Sequence, residues 1–405
     1  MTEIVHVIGL GLGPGNLGAE AMAVVSGADV IAGGRRQLEH FPDHPGDRIV
    51  LGAGLDAFLN ELARVSETKT VAVLASGDPN YYGIAQKVLD RLGPDRVLLY
   101  PGVTTVGSAF ARLKETWAGA GVVSLHGRDQ NNLYQALIDF DTVAVYTDRR
   151  NTPSHIAALM IERGQLNWRM TVLENLGMPN ERIRKMSLDE AAKTEFADLN
   201  LTVLKRTRKP VALRLGLPDE AYIHQSGLIT KAEIRAMALS KLNLGPDMTV
   251  WDLGAGCGSV GLEAGLLVRG GEIIAVEKDP ERVSQIKANR EKFGMALLRV
   301  VQGEMPEALP ELPAPDRVFI GGGGDRLGEI IATAAKRMPD GGVMAATVVR
   351  LSSLELARQA MAEAGLEVTV DLVQVSRSAP LTGDIYLKPL NPVYVVTGRK
   401  GVATT

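Results

Sequence analysis

The stretch VWDLGAGCGSVGLEA, Val250 to Ala264, is an apolar run that enters a glycine-rich turn and then a helical pattern. Gly254, Gly256 and Gly258, with Ala255 between the first two, allow a sharp turn and a close backbone approach to an anionic group at a helix N-terminus, where unpaired amides favour negative charge. A dinucleotide fingerprint needs GxGxxG, but here the third glycine falls one place early and Ser259 stands where glycine is required. Glu277 ends the next strand-like run about 23 residues after Gly254, the position from which a carboxylate can accept both hydroxyls of a ribose. Together these residues predict a site for a nucleotide-like ligand. Cys257 lies inside the turn, yet no histidine follows His224 to activate it, so it reads as a small residue the turn tolerates.

A second glycine run, VIGLGLGPGN from Val7 to Asn16, also fails the dinucleotide pattern, because Pro14 and Asn16 occupy the places where its third glycine would fall. Further loops follow strand-like runs: ASGDPNYYG, YPGVTTVGSAFARL, VVSLHGRD and the start of VAVYTDRRNTPSHIAALMIERG. In HFPDH, His40 and His44 stand four apart, but a proline separates them and no third ligand is near, so no metal site is expected.

The elements that must hold these loops are α/β units. Strand-like runs alternate with helical patterns almost throughout, the signature of largely parallel sheets. At 405 residues the chain exceeds one ordinary core, and two domains are expected. The boundary is placed near Lys209, where a basic cluster and two prolines follow LNLTVL, giving domains 1–209 and 210–405. Seven strands are predicted in the second domain: 249–253, 272–276, 297–301, 317–320, 343–349, 368–375 and 393–397, the last two closing the sheet as an antiparallel pair. One helix is expected to open at Asp279 and Pro280 and to stop at Gly294. Another carries Thr230 and Glu233 at capping-box spacing.

Lysine and arginine number 44 against 47 acidic residues, so a net charge of −3 provides no global field for a polyanion, and 4% aromatics is poor material for base stacking. Nucleic acid is therefore not the expected partner. The single cysteine excludes a disulfide framework. With no basic leader and no apolar run of spanning length, a soluble, cytoplasmic protein without a membrane partner is expected.

The GxGxG spacing resembles the loop of class I S-adenosylmethionine-dependent methyltransferases, a Rossmann-like fold, where the turn faces the methionine carboxylate of the cofactor. That resemblance places Glu304 near the adenine. The fourth strand runs into Gly321–Gly324 where amine methyltransferases of that fold carry an Asn/Asp-Pro-Pro-aromatic motif. Open space there, at Gly322, suits a bulky flat substrate whose nucleophile is carbon. The loops of the first half, with Gly-Asp-Pro at 77–79 and Pro-Gly-Val-Thr-Thr at 101–105, resemble the tetrapyrrole methylase family. That family implies two α/β lobes, about 1–118 and 119–209, a cofactor surrounded by Gly77, Asp78, Pro79, Thr104 and Thr105, and a substrate cleft lined by Gly9, Gly11 and Gly13. Asn16 stands where many members have aspartate.

Joined, the halves resemble the precorrin-6Y C5,15-methyltransferase (decarboxylating) family, a fusion of a CbiE-like tetrapyrrole methylase and a CbiT-like methyltransferase. The resemblance implies one S-adenosylmethionine per domain. It also implies methylation at C5 and C15 of a precorrin-6B-like tetrapyrrole with loss of the ring C acetate carboxyl, and a homo-oligomer, dimer or tetramer. Each transfer is an in-line displacement by an electron-rich ring carbon, for which alignment supplies most of what is needed. No catalytic acid or base is singled out. The many substrate carboxylates call for arginine or lysine, with Arg35, Arg36, Arg128 and Arg149 as candidates in the first half and Lys231, Arg350 and Arg377 in the second. Two other readings stay open: a nucleic-acid methyltransferase, and a first half that carries the tetrapyrrole without catalysis.

Overall fold

The computed structural model describes residues 3–52, 54–127, 130–225 and 227–401. The chain divides into two compact units, residues 1–128, 142–155 and 169–205 in one and residues 129–141, 156–168 and 206–405 in the other.

The first unit contains two five-stranded sheets. Strands β1 (Val5–Gly9), β2 (Val30–Gly33), β3 (Asp47–Val50), β4 (Val71–Ala75) and β5 (Val97–Tyr100) run in the order β3-β2-β4-β1-β5, every pair parallel. The runs VHVIG and VAVLA are apolar almost without alternation because the central strands of a parallel sheet are covered on both faces. The loops after β4, β1 and β5 therefore leave the same edge side by side, and that edge is where open α/β sheets bind ligands. The second sheet comprises β6 (Gly121–Ser124), β7 (Thr142–Tyr146), β8 (Trp168–Glu174), β9 (Arg182–Ser187) and β10 (Asn200–Arg206), in the order β6-β7-β10-β8-β9.

The second unit is built on seven strands, β11 (Thr249–Leu253), β12 (Glu272–Glu277), β13 (Leu298–Gln302), β14 (Arg317–Ile320), β15 (Val343–Val348), β16 (Leu366–Val373) and a last strand, Val393–Lys400. The first five are parallel, and the last inserts antiparallel between β15 and β16, in the order β13-β12-β11-β14-β15-last-β16. The expected antiparallel pair thus forms. The sequence reading missed the hairpin of Ser376–Leu381 with Asp384–Pro389, whose second strand is exposed at every residue. Its first strand alternates only between exposed and half-buried residues, so no buried face announces it.

Helix Pro280–Phe293 has the predicted ends: Asp279 accepts from the Glu281 amide at 2.9 Å, and Gly294 is left-handed at φ +65°. The capping box at Thr230 and Glu233 does not form. The helix spans Ala232–Leu242 with Lys231 at its cap, and the Ala232 amide donates to Asp219 Oδ1 at 3.1 Å. Glu233 is bound to Arg377 instead.

Candidate functional site

In the first unit the loops after β1, β4 and β5 touch through backbone, which only glycine permits. A Cβ on Gly9 would lie 2.6 Å from the Gly102 nitrogen and 2.7 Å from the Gly77 oxygen, and one on Gly102 would lie 2.3 Å from that oxygen. Gly11 and Gly77 exchange amide hydrogen bonds of 3.2 and 2.9 Å, joining the first two loops. Above them opens a cavity of about 650 Å³, within the range of small-molecule sites. Gly11, Gly13, Gly77, Asp78 and Thr105 line it.

Gly9, Pro79 and Thr104 do not line it, and each shapes a loop instead. Thr104 caps helix Thr105–Leu113, its hydroxyl accepting from the Gly107 amide at 2.9 Å. Asn16 closes the first loop by accepting the Leu12 amide at 2.9 Å, so the amide side chain fills the place of aspartate as an acceptor. Arg35 points into solvent, while its neighbour Arg36 lines the cavity. Arg149 is at the cavity but mainly exposed, 3.4 Å from Asp198. Arg128 falls outside the described residues.

Sequence reading missed an aromatic and acid–base lining: Tyr81, Tyr82, His126, Tyr146 and Asp148. Tyr82 packs against Tyr81 and Tyr146 at centroid distances of 5.1 and 5.8 Å. Burial pushes the Tyr146 phenol up to about 12, with Thr105 as a hydrogen-bond partner working against the rise. Burial also opposes ionisation of Asp148, but the amides of Asn151, Gly127 and Arg150 together outweigh it and hold the carboxyl below its ordinary range. The motif VVSLHGRD had pointed to the loop, not to a role for His126. His44 is occupied by backbone: it accepts from the Gly46 amide through Nδ1 at 3.0 Å and donates from Nε2 to the Val25 carbonyl at 2.8 Å. No group of three or more metal-ligating side chains occurs among the described residues.

In the second unit Gly254, Gly256 and Gly258 adopt φ of +68°, +59° and +79°, the left-handed region where other residues are strained. The turn is tied to β12. The amides of Gly254 and Ala255 both donate to the Val276 carbonyl, and Gly256 donates to Glu277 Oε2 at 2.9 Å. Glu277 also accepts the Lys278 and Asp279 amides. That fills about three of a carboxylate's four or so lone-pair sites, so accepting both ribose hydroxyls requires Glu277 to release a loop amide. Glu304 lies on the exposed rim beside Lys278, 3.4 Å away.

A Cβ on Gly254 would stand 3.0 Å from the Gly322 nitrogen. Gly322 in turn lines a cavity of about 190 Å³ with Gly323, Thr347, Arg350 and Ser353. The glycine turn and the predicted open space are therefore adjacent, and Arg350 faces that space. Cys257 is buried, and burial pushes its thiol up, which removes it as a nucleophile.

Two other predicted cations are engaged elsewhere. Arg377 binds Glu233 through two hydrogen bonds of 2.9 and 2.7 Å and lies 3.5 Å from Asp219, while Lys231 is 3.4 Å from the same aspartate. Beneath them Arg235 and Glu263 form a fully buried ion pair at 2.8 Å, and Glu263 also accepts from the Tyr222 hydroxyl at 2.7 Å and the Gly216 amide at 2.9 Å. This network fastens the segment before helix Ala232–Leu242 to helix Ser259–Ala264, which begins at the glycine turn.

Residues 5–192 match the family described as Tetrapyrrole (Corrin/Porphyrin) Methylases, and residues 220–400 match the Precorrin methyltransferase domain. A precorrin-6Y C(5,15)-methyltransferase [decarboxylating] of Sinorhizobium sp is 31% identical over 405 residues, covering 98% of this chain and 96% of the relative. The chain belongs to that family. It is a methyltransferase of the precorrin-6Y C5,15 (decarboxylating) type. Members of the wider group also resemble parts of it. A probable cobalt-precorrin-6B C(15)-methyltransferase (decarboxylating) of Pyrobaculum aerophilum is 43% identical over 185 residues, 45% of this chain and 94% of the relative. A cobalt-precorrin-7 C(5)-methyltransferase of Salmonella typhimurium is 35% identical over 177 residues, 43% of this chain and 87% of the relative.

Proposed function

We propose that the chain is a bifunctional S-adenosylmethionine-dependent C-methyltransferase of cobalamin biosynthesis, with residues 1–209 methylating C5 and residues 210–405 methylating C15 of precorrin-6B while removing the ring C acetate carboxyl, to give precorrin-8. The carrying observation is that two separate sheets each end in a glycine-built loop beside a cavity, in a chain whose full-length relative bears both activities in its name.

S-adenosylmethionine supplies an electrophilic methyl group on sulfonium. The residues present fit it at both places. In the first cavity Gly77, Asp78 and Thr105 would hold it, with the methyl-free backbone of Gly9 and Gly102 keeping the loops close and Pro79 and Thr104 fixing their shape. In the second unit Gly254, Ala255, Gly256 and Gly258 would hold it, with Glu277 and Glu304 on its nucleoside side. A Cβ on Gly256 would meet nothing within 4 Å, so the space over the turn is open.

The chain's own side chains then orient the tetrapyrrole. Arg36 at the first cavity and Arg350 at the second are the cations placed to meet its carboxylates, and planar guanidinium suits them. Decarboxylation needs the acetate held and stripped of water, with the conjugated ring as electron sink; Gly322 keeps space open beside Arg350 for one edge of that ring. Location in the cytoplasm is part of the same proposal; no helix among the described residues is long and apolar enough to cross a membrane. So is a homo-oligomer, supported by the exposed hairpin, where Ile385 is 72% and Leu387 70% accessible.

Calorimetry with the full chain tests the reading. Two molecules of S-adenosylmethionine per chain are expected, and one or none would refute the assignment of a site to each half.

A further inference from the structure

We propose that His126 is the general base of the first cavity, accepting the proton that the tetrapyrrole ring sheds when its C5 carbon is methylated. The proposal rests on the reading that this cavity performs the C5 methylation. C-methylation makes a carbon–carbon bond from a ring π pair, and the sulfur of the donor keeps the electron pair of the broken sulfur–carbon bond. The ring gains one positive charge and returns to neutrality by releasing one proton. That proton passes to a free imidazole nitrogen and from there to water.

The geometry selects His126 among the groups present. The cavity is lined by two imidazoles, His40 and His126. His126 has Asp148 as its charged neighbour, and the next residue in the chain, Gly127, donates its amide to Asp148 Oδ2 at 3.0 Å. The backbone carrying the imidazole is therefore fixed against a carboxylate that also lines the cavity. Asp148 itself is a poor acceptor near neutrality, because three backbone amides stabilise its ionised state. Tyr146 is ruled out as a base because its phenol stays protonated. Asp78 Oδ1 is engaged by the Asn80 amide at 2.8 Å. His126 is exposed at the cavity rim, which gives the proton an exit and makes substitution compatible with folding.

The test uses the full chain with precorrin-6B and S-adenosylmethionine, and mass spectrometry that locates each added methyl. His126→Gln is expected to slow arrival of the C5 methyl by about 10²-fold or more, the usual contribution of a positioned base. Calorimetric binding of S-adenosylmethionine should stay within about twofold of the parent, since general-base catalysis acts on the transfer and not on donor binding. Added imidazole should restore C5 methylation to His126→Ala. Undiminished C5 methylation in His126→Gln overturns the proposal, as does a loss that imidazole leaves unrepaired in His126→Ala. If the parent chain itself adds no methyl at C5, it is the underlying reading that fails.

Discussion

At the scale of single residues, the second site depends on backbone that no side chain can share. Gly254 combines φ of +68° with a missing Cβ that would press on the Gly322 nitrogen at 3.0 Å. Gly254→Ala should therefore reduce calorimetric uptake of S-adenosylmethionine from two to one per chain, and retention of both would show that the turn does not face the cofactor. Asp252 gives a second residue-level test. It is fully buried beneath the turn, accepts the Gly261 amide at 2.8 Å, leaves Oδ1 without a partner, and burial raises its pKa to about 7, with Glu277 adding to the rise. Because the folded value exceeds the unfolded one, the contribution of Asp252 to stability is fully present below about 3.8 and is lost as pH climbs through 7. Thermal melting should fall across that window, and Asp252→Asn should flatten most of the slope; an unchanged slope in the variant would remove Asp252 as its source. The glycine spacing was legible because the turn's conformation is a local demand. The roles of Asp252, His126 and Asp148 were not, since burial and neighbouring amides set them and neither is written in adjacent residues.

At the scale of elements, helix Ala232–Leu242 shows where local reading stops. Thr230 and Glu233 carry a capping-box pattern, yet Asp219, 13 residues earlier, takes the Ala232 amide and draws in Lys231 and Arg377. A long-range ionic network outcompetes the local cap, and it also absorbs two cations that loop position had offered to the substrate. Its buried centre should be costly to break. Removing one partner of a buried pair typically costs about 3–5 kcal/mol because the other charge is stranded. Glu263→Ala should accordingly lower stability by that order, whereas Tyr222→Phe, which removes one hydrogen bond, should cost about 1 kcal/mol. Chemical denaturation of the full chain measures both. Equal effects would mean that the ion pair is not the centre of the network.

At the scale of the whole molecule, the sequence was most informative where strands are apolar and parallel. VAVLA, VWDL and EIIAVE are internal strands of their sheets, and the candidate ligand residues lie at their C-terminal ends or in the loops that follow. The two-sheet division of the first half was expected from the resemblance to tetrapyrrole methylases, and the antiparallel closure of the second from two strand-like runs late in the chain. The hairpin 376–389 did not show itself because none of its residues is buried. The proposed function unites the molecule as a pair of methyl-transfer sites on unrelated sheets acting on one substrate. The most direct measurement is the mass of the product formed from precorrin-6B by the full chain with excess S-adenosylmethionine. The account predicts two methyl gains together with loss of one carbon dioxide; a product with a single methyl gain, or with two gains and the carboxyl retained, would contradict it.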